Sequence, residues 1–98
     1  MTVTVGLLVQ LEAKPGKEDE LASFLEAGRA LAMQESGTVT WYAFRTGLSG
    51  FGIFDTFETE DGRQAHLAGE IAKALGEAAP DLLARNPEIT SVDVLAVK

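Results

Sequence analysis

Residues 38–57 read TVTWYAFRTGLSGFGIFDTF, two apolar runs that are joined by a short glycine-containing turn. Residues 38–46 and 51–57 have the alternation and the β-branched and aromatic content of strands. Residues 47–50 have the length and composition of a hairpin turn. Both runs carry apolar side chains on both faces, which a sheet with one face in water would not do. We therefore expect an apolar cover on each face of this sheet.

The segment before this hairpin predicts one strand and one helix. Residues 2–12 alternate between apolar and polar side chains and predict the first strand. Residues 18–36 begin with three acidic residues and continue with an apolar stripe at helical spacing, which predicts a helix. Gly37 follows, and we expect it to end the helix in the left-handed conformation.

The segment after the hairpin predicts a broken helix and a last strand. Thr59 is suited to cap the start of the helix, and two acidic residues follow it. Glycines weaken this helix, so a bend or break near Gly69 is expected. Pro80 is expected at the first position of a short further helical turn. Residues 89–97 then predict the fourth strand.

This order of elements is β-α-β-β-α-β, which predicts an α+β protein with a ferredoxin-like fold. One antiparallel sheet would carry its helices on one face, in a single domain over residues 1–98. The other face would be a large apolar surface, and such surfaces mark association. A second copy of the chain is the simplest cover, so we expect a homodimer that forms through the sheet face.

Composition excludes several classes of function. The chain of 98 residues has no cysteine, so disulfides and thiolate chemistry are excluded. Eight basic against fifteen acidic residues leave a net charge of −7, which disfavours nucleic acid and anionic membranes as partners. The N-terminus does not resemble a signal peptide, and no apolar run is long enough to cross a bilayer. A cytoplasmic protein is expected.

His66 is the only histidine and the default carrier of a proton near neutral pH. One interpretation makes it a proton donor, a proton acceptor or an anchor for a bound ligand. The other makes it a partly exposed helical histidine that is paired with Glu70 or Asp55. A phosphate-binding glycine loop, a two-histidine metal spacing and a serine nucleophile elbow are not in the sequence, so no metal site is expected.

Aromatic and charged residues of the hairpin strands are further candidates for a binding site. Trp41, Phe44, Phe54, Phe57 and other aromatics could line a pocket for a planar ligand, or they could be ordinary core and interface residues. Arg45 could bind a polar group of the ligand, and Asp55 could orient the histidine. Alternatively, Arg45 and Asp55 form salt bridges within the sheet or between subunits.

The sequence resembles the antibiotic biosynthesis monooxygenase family of dimeric α+β barrels over nearly its whole length. The resemblance rests on residues 11–18 (LEAKPGKE) and on the Gly37 turn that leads to Trp41. It rests most on an acidic residue, an aromatic residue two positions later and a histidine on the following helix. Those positions are Asp55, Phe57 and His66.

The resemblance implies that two subunits join their sheets into a barrel, each with a pocket between its sheet and its helices. Some members oxidise aromatic polyketides or quinols with no metal or flavin cofactor, because the bound phenol loses a proton and its anion reacts with O₂. By analogy, His66 would bind or deprotonate the phenol and Arg45 would stabilise the anion. Trp41, Phe44 and Phe54 would hold the rings.

Departures from the family narrow this hypothesis. Haem-degrading relatives use an asparagine, a tryptophan and a histidine, whereas here Phe57 stands at the tryptophan position and Asn86 lies in a late turn. Haem degradation is therefore not expected. The bulky strand at residues 40–45 suggests a smaller or differently shaped pocket. Two functions stay open: a cofactor-independent monooxygenase of a small phenol or quinol, and a non-catalytic dimeric binding or stress-related protein on the same scaffold.

Overall fold

The computed structural model describes residues 2–98, and these residues form four strands and three helices. In chain order the elements are β1 (Val5–Glu12), α1 (Glu18–Ala32), β2 (Thr38–Arg45), β3 (Gly50–Phe57), α2 (Glu60–Leu67), α3 (Glu70–Leu82) and β4 (Glu88–Asp93). The strands make one antiparallel sheet in the order β2-β3-β1-β4. The predicted ferredoxin-like α+β fold is confirmed, and so is the hairpin between β2 and β3.

The core lies between the helices and one face of the sheet, which we call the inner face. Every second residue of β1 and β3 points to this face, as the two-residue period of a strand requires. Its buried apolar members include Leu7, Val9, Leu11, Phe51, Ile53 and Phe57. Burial of each such side chain contributes about 1.5–3 kcal/mol, so this face supplies much of the driving force for folding.

The opposite, outer face of the sheet is also apolar but has no helix over it. Leu8, Phe54 and Val92 are half-buried there. Tyr42 is 58% exposed and Phe44 is 37% exposed. The expectation of apolar side chains on both faces is therefore confirmed, whereas the second copy that would cover the outer face stays a prediction.

The first and last strands are shorter than predicted. β1 begins at Val5 instead of residue 2, and β4 ends at Asp93 instead of residue 97. Val5 is paired with Asp93, and a hydrogen bond from Val94 N–H to Thr4 O at 2.9 Å continues this ladder. Residues 95–98 have no partner strand within the described part of the chain, so alternation alone does not make them a strand.

The end of α1 was predicted wrongly. The helix ends at Ala32, and Gly37 does not adopt the left-handed conformation; among residues 2–98 only Gly16 has a positive φ, 85°. Consecutive tight turns connect α1 to β2 instead, and Gln34 N–H donates to Leu31 O at 3.1 Å in the first of them. Gly37 has a different role, since a Cβ there would lie 3.2 Å from the Cα of Gly62 on α2.

The broken second helix was predicted correctly, but its last turn was not. Thr59 caps α2 through a hydrogen bond from Gly62 N–H to Thr59 Oγ1 at 3.3 Å, and α3 starts directly after Gly69. Pro80 does not open a new turn, because α3 continues through it to Leu82. Lys14 holds this last turn, donating N–H to Leu82 O at 2.8 Å and Nζ–H to Pro80 O at 2.5 Å. Within residues 2–98, no helix has the length and apolar character needed to cross a membrane.

Candidate functional site

Helix α2 is fastened to the sheet by Arg63, one turn before His66. The buried guanidinium donates Nη1–H to Gly6 O at 3.1 Å and to Val92 O at 3.2 Å. Its other side meets the carboxylate of Glu60. A buried charged group needs such partners, so Arg63 must stay within reach of both carbonyl oxygens. The bonds therefore fix the position of α2 over β1 and β4. They thereby carry His66 to the inner face of the sheet.

His66 is buried, with 8% of its surface exposed, and both ring nitrogens meet carboxylates. Nδ1 lies 2.5 Å from Glu35 Oε1 with hydrogen-bond geometry. Nε2 lies 3.0 Å from Asp55 Oδ2, but the direction is poor for a hydrogen bond, so this contact is mainly an ion pair. The expected partial exposure of the histidine is wrong, but its expected pairing with Asp55 is confirmed. Its second partner is Glu35, and Glu70 is not a partner.

The carboxylates keep the imidazole charged at neutral pH. Burial by itself would lower the pKa of His66, but the contacts with Asp55 and Glu35 and their negative charges outweigh it. The net effect raises the pKa of His66 from 6.5 to about 8. Two carboxylates against one imidazolium leave this cluster with one negative charge.

An inner cavity of about 140 Å³ lies between the inner face and helices α2 and α3. His66, Asp55 and Trp41 supply its polar groups. Apolar side chains form most of the remaining wall, among them Leu7, Val9, Ile53, Leu67, Ile71 and Leu75. An apolar cavity with a few convergent polar groups is the usual form of a small-molecule site.

Trp41 and Asp55 are direct neighbours across β2 and β3 on the inner face. Side chains in such positions stand about 5 Å apart at their Cβ atoms. The indole reaches toward α1, where a Cβ on Gly28 would lie 3.5 Å from Trp41 Cη2. The sequence predicts Trp41, Asp55 and His66 in one site, and the fold brings these three residues to one cavity.

Phe57 is also on the inner face but supports the histidine instead of lining the cavity. Its side chain is fully buried, and its ring centroid lies 5.4 Å from that of His66 at an interplanar angle of 46°. This tilted contact restricts rotation of the imidazole and keeps water from its face.

Several buried polar atoms of this cluster have no hydrogen-bond partner within the protein. Among residues 2–98 they are both carboxylate oxygens of Asp55, Trp41 Nε1 and Glu35 Oε2. An unsatisfied buried polar group costs about 1–3 kcal/mol, so folded proteins contain few of them. Four such atoms around one histidine indicate groups that are held ready for a ligand or for water.

Arg45 does not lie where the sequence analysis placed it. Its guanidinium donates to Gly47 O at 3.0 Å and to Leu48 O at 2.6 Å, and it stacks 4.8 Å above the Phe51 ring. Phe51 precedes Asp55 by four residues, about 13 Å along an extended strand. Arg45 therefore closes the hairpin and is too far from His66 to stabilise an anion beside it.

Phe44 and Phe54 are on the outer face and cannot reach the inner cavity. The Phe44 ring covers Gly52, where a Cβ would lie 2.4 Å from Phe44 Cζ. Phe54 is the outer-face neighbour of Tyr42 and Leu8. Both phenylalanines were expected to hold the ligand's rings, but the strand period puts them on the opposite side from Asp55.

Glu35 is the site residue that sequence analysis missed. It lies in the turn between α1 and β2, 31 residues before His66. Its Oε1 also accepts a hydrogen bond from Thr38 Oγ1 at 2.8 Å. An isolated glutamate in a turn carries no sequence signal for such a contact, because the contact depends on how the turn meets α2.

The cluster is not built to hold a metal ion. The two carboxylates contact opposite nitrogens of the imidazole, so their oxygens do not converge on one point. Within residues 2–98, no three His, Asp or Glu side chains are grouped closely enough to bind one.

Many solved structures are similar to this chain, and a relative of high sequence identity is among them. No protein-family model and no curated protein matches the sequence. Two solved structures are similar in fold alone: proposed antibiotic biosynthesis monooxygenases from Caulobacter crescentus and Chloroflexus aurantiacus. The first is 20% identical, with a TM-score of 0.82 over 96% of this chain and 92% of that one. The second is 19% identical, with a TM-score of 0.76 over 97% and 96%.

A much nearer relative is a protein of unknown function from Nitrosomonas europaea, whose crystal structure is solved. It is 51% identical to this chain, with a TM-score of 0.96. The match covers 98% of this chain and 93% of the other. At that identity and coverage the two proteins share ancestry as well as fold. The chain belongs to the same family as the Nitrosomonas europaea protein of unknown function.

Proposed function

We propose that the chain is a cofactor-independent monooxygenase of a small phenol or quinol, of the antibiotic biosynthesis type, and that the inner cavity binds the substrate. One observation carries this proposal: a buried histidine with two carboxylates stands at the wall of an otherwise apolar cavity. The fold is also that of two distant solved structures named as proposed antibiotic biosynthesis monooxygenases. Four other cavities of the described residues 2–98 are lined by residues other than His66.

The volume of the cavity suits a substrate of one ring. An apolar protein cavity of about 150 Å³ holds benzene, and the volume here is about 140 Å³. A quinol of one ring therefore has a suitable size for this cavity. This agrees with the smaller pocket that the bulky β2 strand suggested.

The reaction needs proton transfer and O₂ but no external reductant. In the proposed step, the substrate O–H bond breaks, its proton passes to neutral His66, and the electron pair stays on the oxygen. The anion then reduces O₂; a quinol and O₂ together yield a hydroxyquinone and water. Asp55 and Glu35 stabilise the imidazolium that forms, as carboxylates do in other catalytic sites.

Oxygen consumption with a panel of one-ring quinols tests the proposal. We expect turnover that rises with pH through about 8, since only neutral His66 accepts a proton. The His66→Ala variant should lose at least ~100-fold in kcat/KM, in line with the usual contribution of a positioned base. Gln64→Ala, on the exposed side of the same helix, is the matched control. Unchanged turnover in His66→Ala would remove this histidine from the mechanism.

A non-catalytic binding protein is the second candidate, and the charge of His66 favours it. With a pKa of about 8, most of the imidazole is protonated at neutral pH and cannot accept a proton there. The same cavity would then retain a one-ring ligand without oxidising it. Calorimetry with phenols in the absence and presence of O₂ separates the candidates, because only the oxygenase consumes the gas.

We also propose that a second copy covers the outer face of the sheet. The support is the exposure of Tyr42 and Phe44 on a face that no helix covers. Pairing of sheets would bury this apolar surface, as the resemblance to dimeric barrels implies. The single-domain organisation over residues 1–98 and a cytoplasmic location likewise stay predictions.

A further inference from the structure

Glu35 and Asp55 contact His66 in unequal ways, and this inequality decides which ring nitrogen can react. Nδ1 and Glu35 Oε1 are 2.5 Å apart with hydrogen-bond geometry. Nε2 and Asp55 Oδ2 are 3.0 Å apart with poor direction. Short and well-directed bonds to a charged acceptor are the stronger ones. When the imidazolium loses one proton, the remaining proton therefore stays on Nδ1.

We infer that Glu35 is the positioning residue of the site: it keeps the last ring proton on Nδ1 and leaves Nε2 as the nitrogen that accepts a proton. The assignment of the acceptor rests on the proposed function, whereas the position of the last proton does not. Nε2 is on the side of Asp55, which lines the inner cavity together with His66. A substrate hydroxyl in the cavity would donate its hydrogen bond to Nε2, beside the Asp55 carboxylate.

The surroundings of Glu35 hold it in this role. Thr38 Oγ1 donates to Oε1 at 2.8 Å, on the same oxygen that accepts from the imidazole. The backbone turn is closed by Glu35 N–H to Ala32 O at 3.1 Å and by Thr38 N–H to Glu35 O at 3.3 Å. The side chain is only 18% exposed, so water competes weakly for its oxygens. A fixed carboxylate sets the tautomer of a histidine.

Few charged groups act on His66, so a change in its pKa can be assigned to one of them. Asp55 on β3 and Glu35 before β2 are the two charges that shift its pKa. Phe57 and the apolar wall of the cavity surround the rest of the ring. Removal of the Glu35 charge must therefore lower the pKa of His66. Removal of the hydrogen bond from Nδ1 to Glu35 must allow the ring proton of neutral His66 to occupy Nε2 as well.

Nitrogen NMR of the ring tests the tautomer without any substrate. The chain has one histidine, so the ring signals need no assignment between residues. About two pH units above its pKa, nearly all of the imidazole is neutral, and we expect a protonated Nδ1 and a bare Nε2. Glu35→Gln should lower the pKa and populate the Nε2–H tautomer. Glu70→Gln, four residues along the chain from His66, should change neither quantity.

Two results would overturn the inference: an Nε2–H tautomer in the unmodified protein above its pKa, or a Glu35→Gln variant with unchanged pKa and tautomer. Should that variant fail to fold, Thr38→Val keeps the carboxylate but removes its hydroxyl donor. Thr38→Val is expected to shift the tautomer in the same direction by a smaller amount. An unchanged tautomer in a folded Thr38→Val variant would also count against the inference.

Kinetics with a one-ring quinol distinguish this inference from the proposed function. Glu35 does not line the inner cavity, so Glu35→Gln should leave KM unchanged. Its kcat should fall about ten- to a hundredfold, part of the ~10²–10⁴ that a positioned base contributes. The pH profile should also move to lower pH. If no quinol is consumed by any variant, the proposed function fails, and the NMR result alone decides the position of the last proton.

Discussion

Two carboxylates from distant parts of the chain hold the imidazole of His66 inside the protein. Burial opposes the positive charge, and the contacts with Asp55 and Glu35 more than offset that opposition. A charged group in a protein interior is retained only when its partners are well placed. The same arrangement makes the histidine responsive to pH near 8, so its charge can be tested through stability as well as through activity.

The stability of the protein should fall as pH rises through about 8. The pKa of His66 is raised from 6.5 in the unfolded chain to about 8 in the folded protein. The resulting stabilisation, about 2 kcal/mol for a shift of that size, is fully present below pH 6.5 and is lost above the folded pKa. Urea unfolding at about pH 6 and about pH 9.5 measures it. His66→Gln should show no such loss, and an equal loss in both proteins would contradict the prediction.

At the scale of elements, the position of α2 relative to the turn before β2 creates the site. The backbones of Gly37 and Gly62 meet there, and a Cβ on Gly62 would lie 3.0 Å from Gly37 O. This close approach brings Glu35 of the turn to His66 of the helix. From the sequence alone, every helical glycine is expected to weaken its helix. In the structure these glycines have different surroundings and therefore different roles.

Alanine at Gly62 and at Gly76 should have opposite effects. Nothing lies within 4 Å of a Cβ on Gly76, so Gly76→Ala should stabilise the protein by up to about 1 kcal/mol through helix propensity. Gly62→Ala pushes α2 from the turn, and such overpacking costs about 1–3 kcal/mol. It should also lower the pKa of His66, because the contact with Glu35 lengthens. Thermal unfolding and NMR titration compare the two; equal stabilisation would refute the close approach.

At the scale of the whole molecule, the unequal cover of the two sheet faces is the main feature. Helices cover the inner face and line the cavity, whereas the outer face exposes Tyr42 and Phe44. Monomeric proteins rarely leave large contiguous apolar patches in water. The outer face is therefore where the assembly of the protein can be tested separately from its chemistry.

Sedimentation velocity should show a dimer that depends on the outer face. Phe44→Asp places a charge on the outer face, within the proposed interface, and we expect this variant to sediment as a monomer. Leu48→Asp is the matched control, because Leu48 is 80% exposed at the hairpin turn and off the sheet face. A monomeric unmodified protein, or equal behaviour of the two variants, would contradict the proposed pairing.

The sequence by itself was sufficient for the fold because the signals for strands and helices are local. The alternation of residues 38–57, the cap at Thr59 and the break near Gly69 each depend on neighbours within a few positions. Apolar residues on both faces of β2 and β3 likewise follow from their period. The errors were at ends, where residues 95–98 lack a partner strand and where tertiary hydrogen bonds keep Pro80 helical.

Only the tertiary structure decided the composition of the site. Trp41 and Arg45 share a strand, but the fold places Trp41 beside Asp55 and Arg45 at the hairpin. The choice of Glu35 over Glu70 as the partner of His66 depends on two backbones that meet without side chains between them. Contacts of this kind join residues that are far apart in sequence, and no local pattern encodes a distance through space.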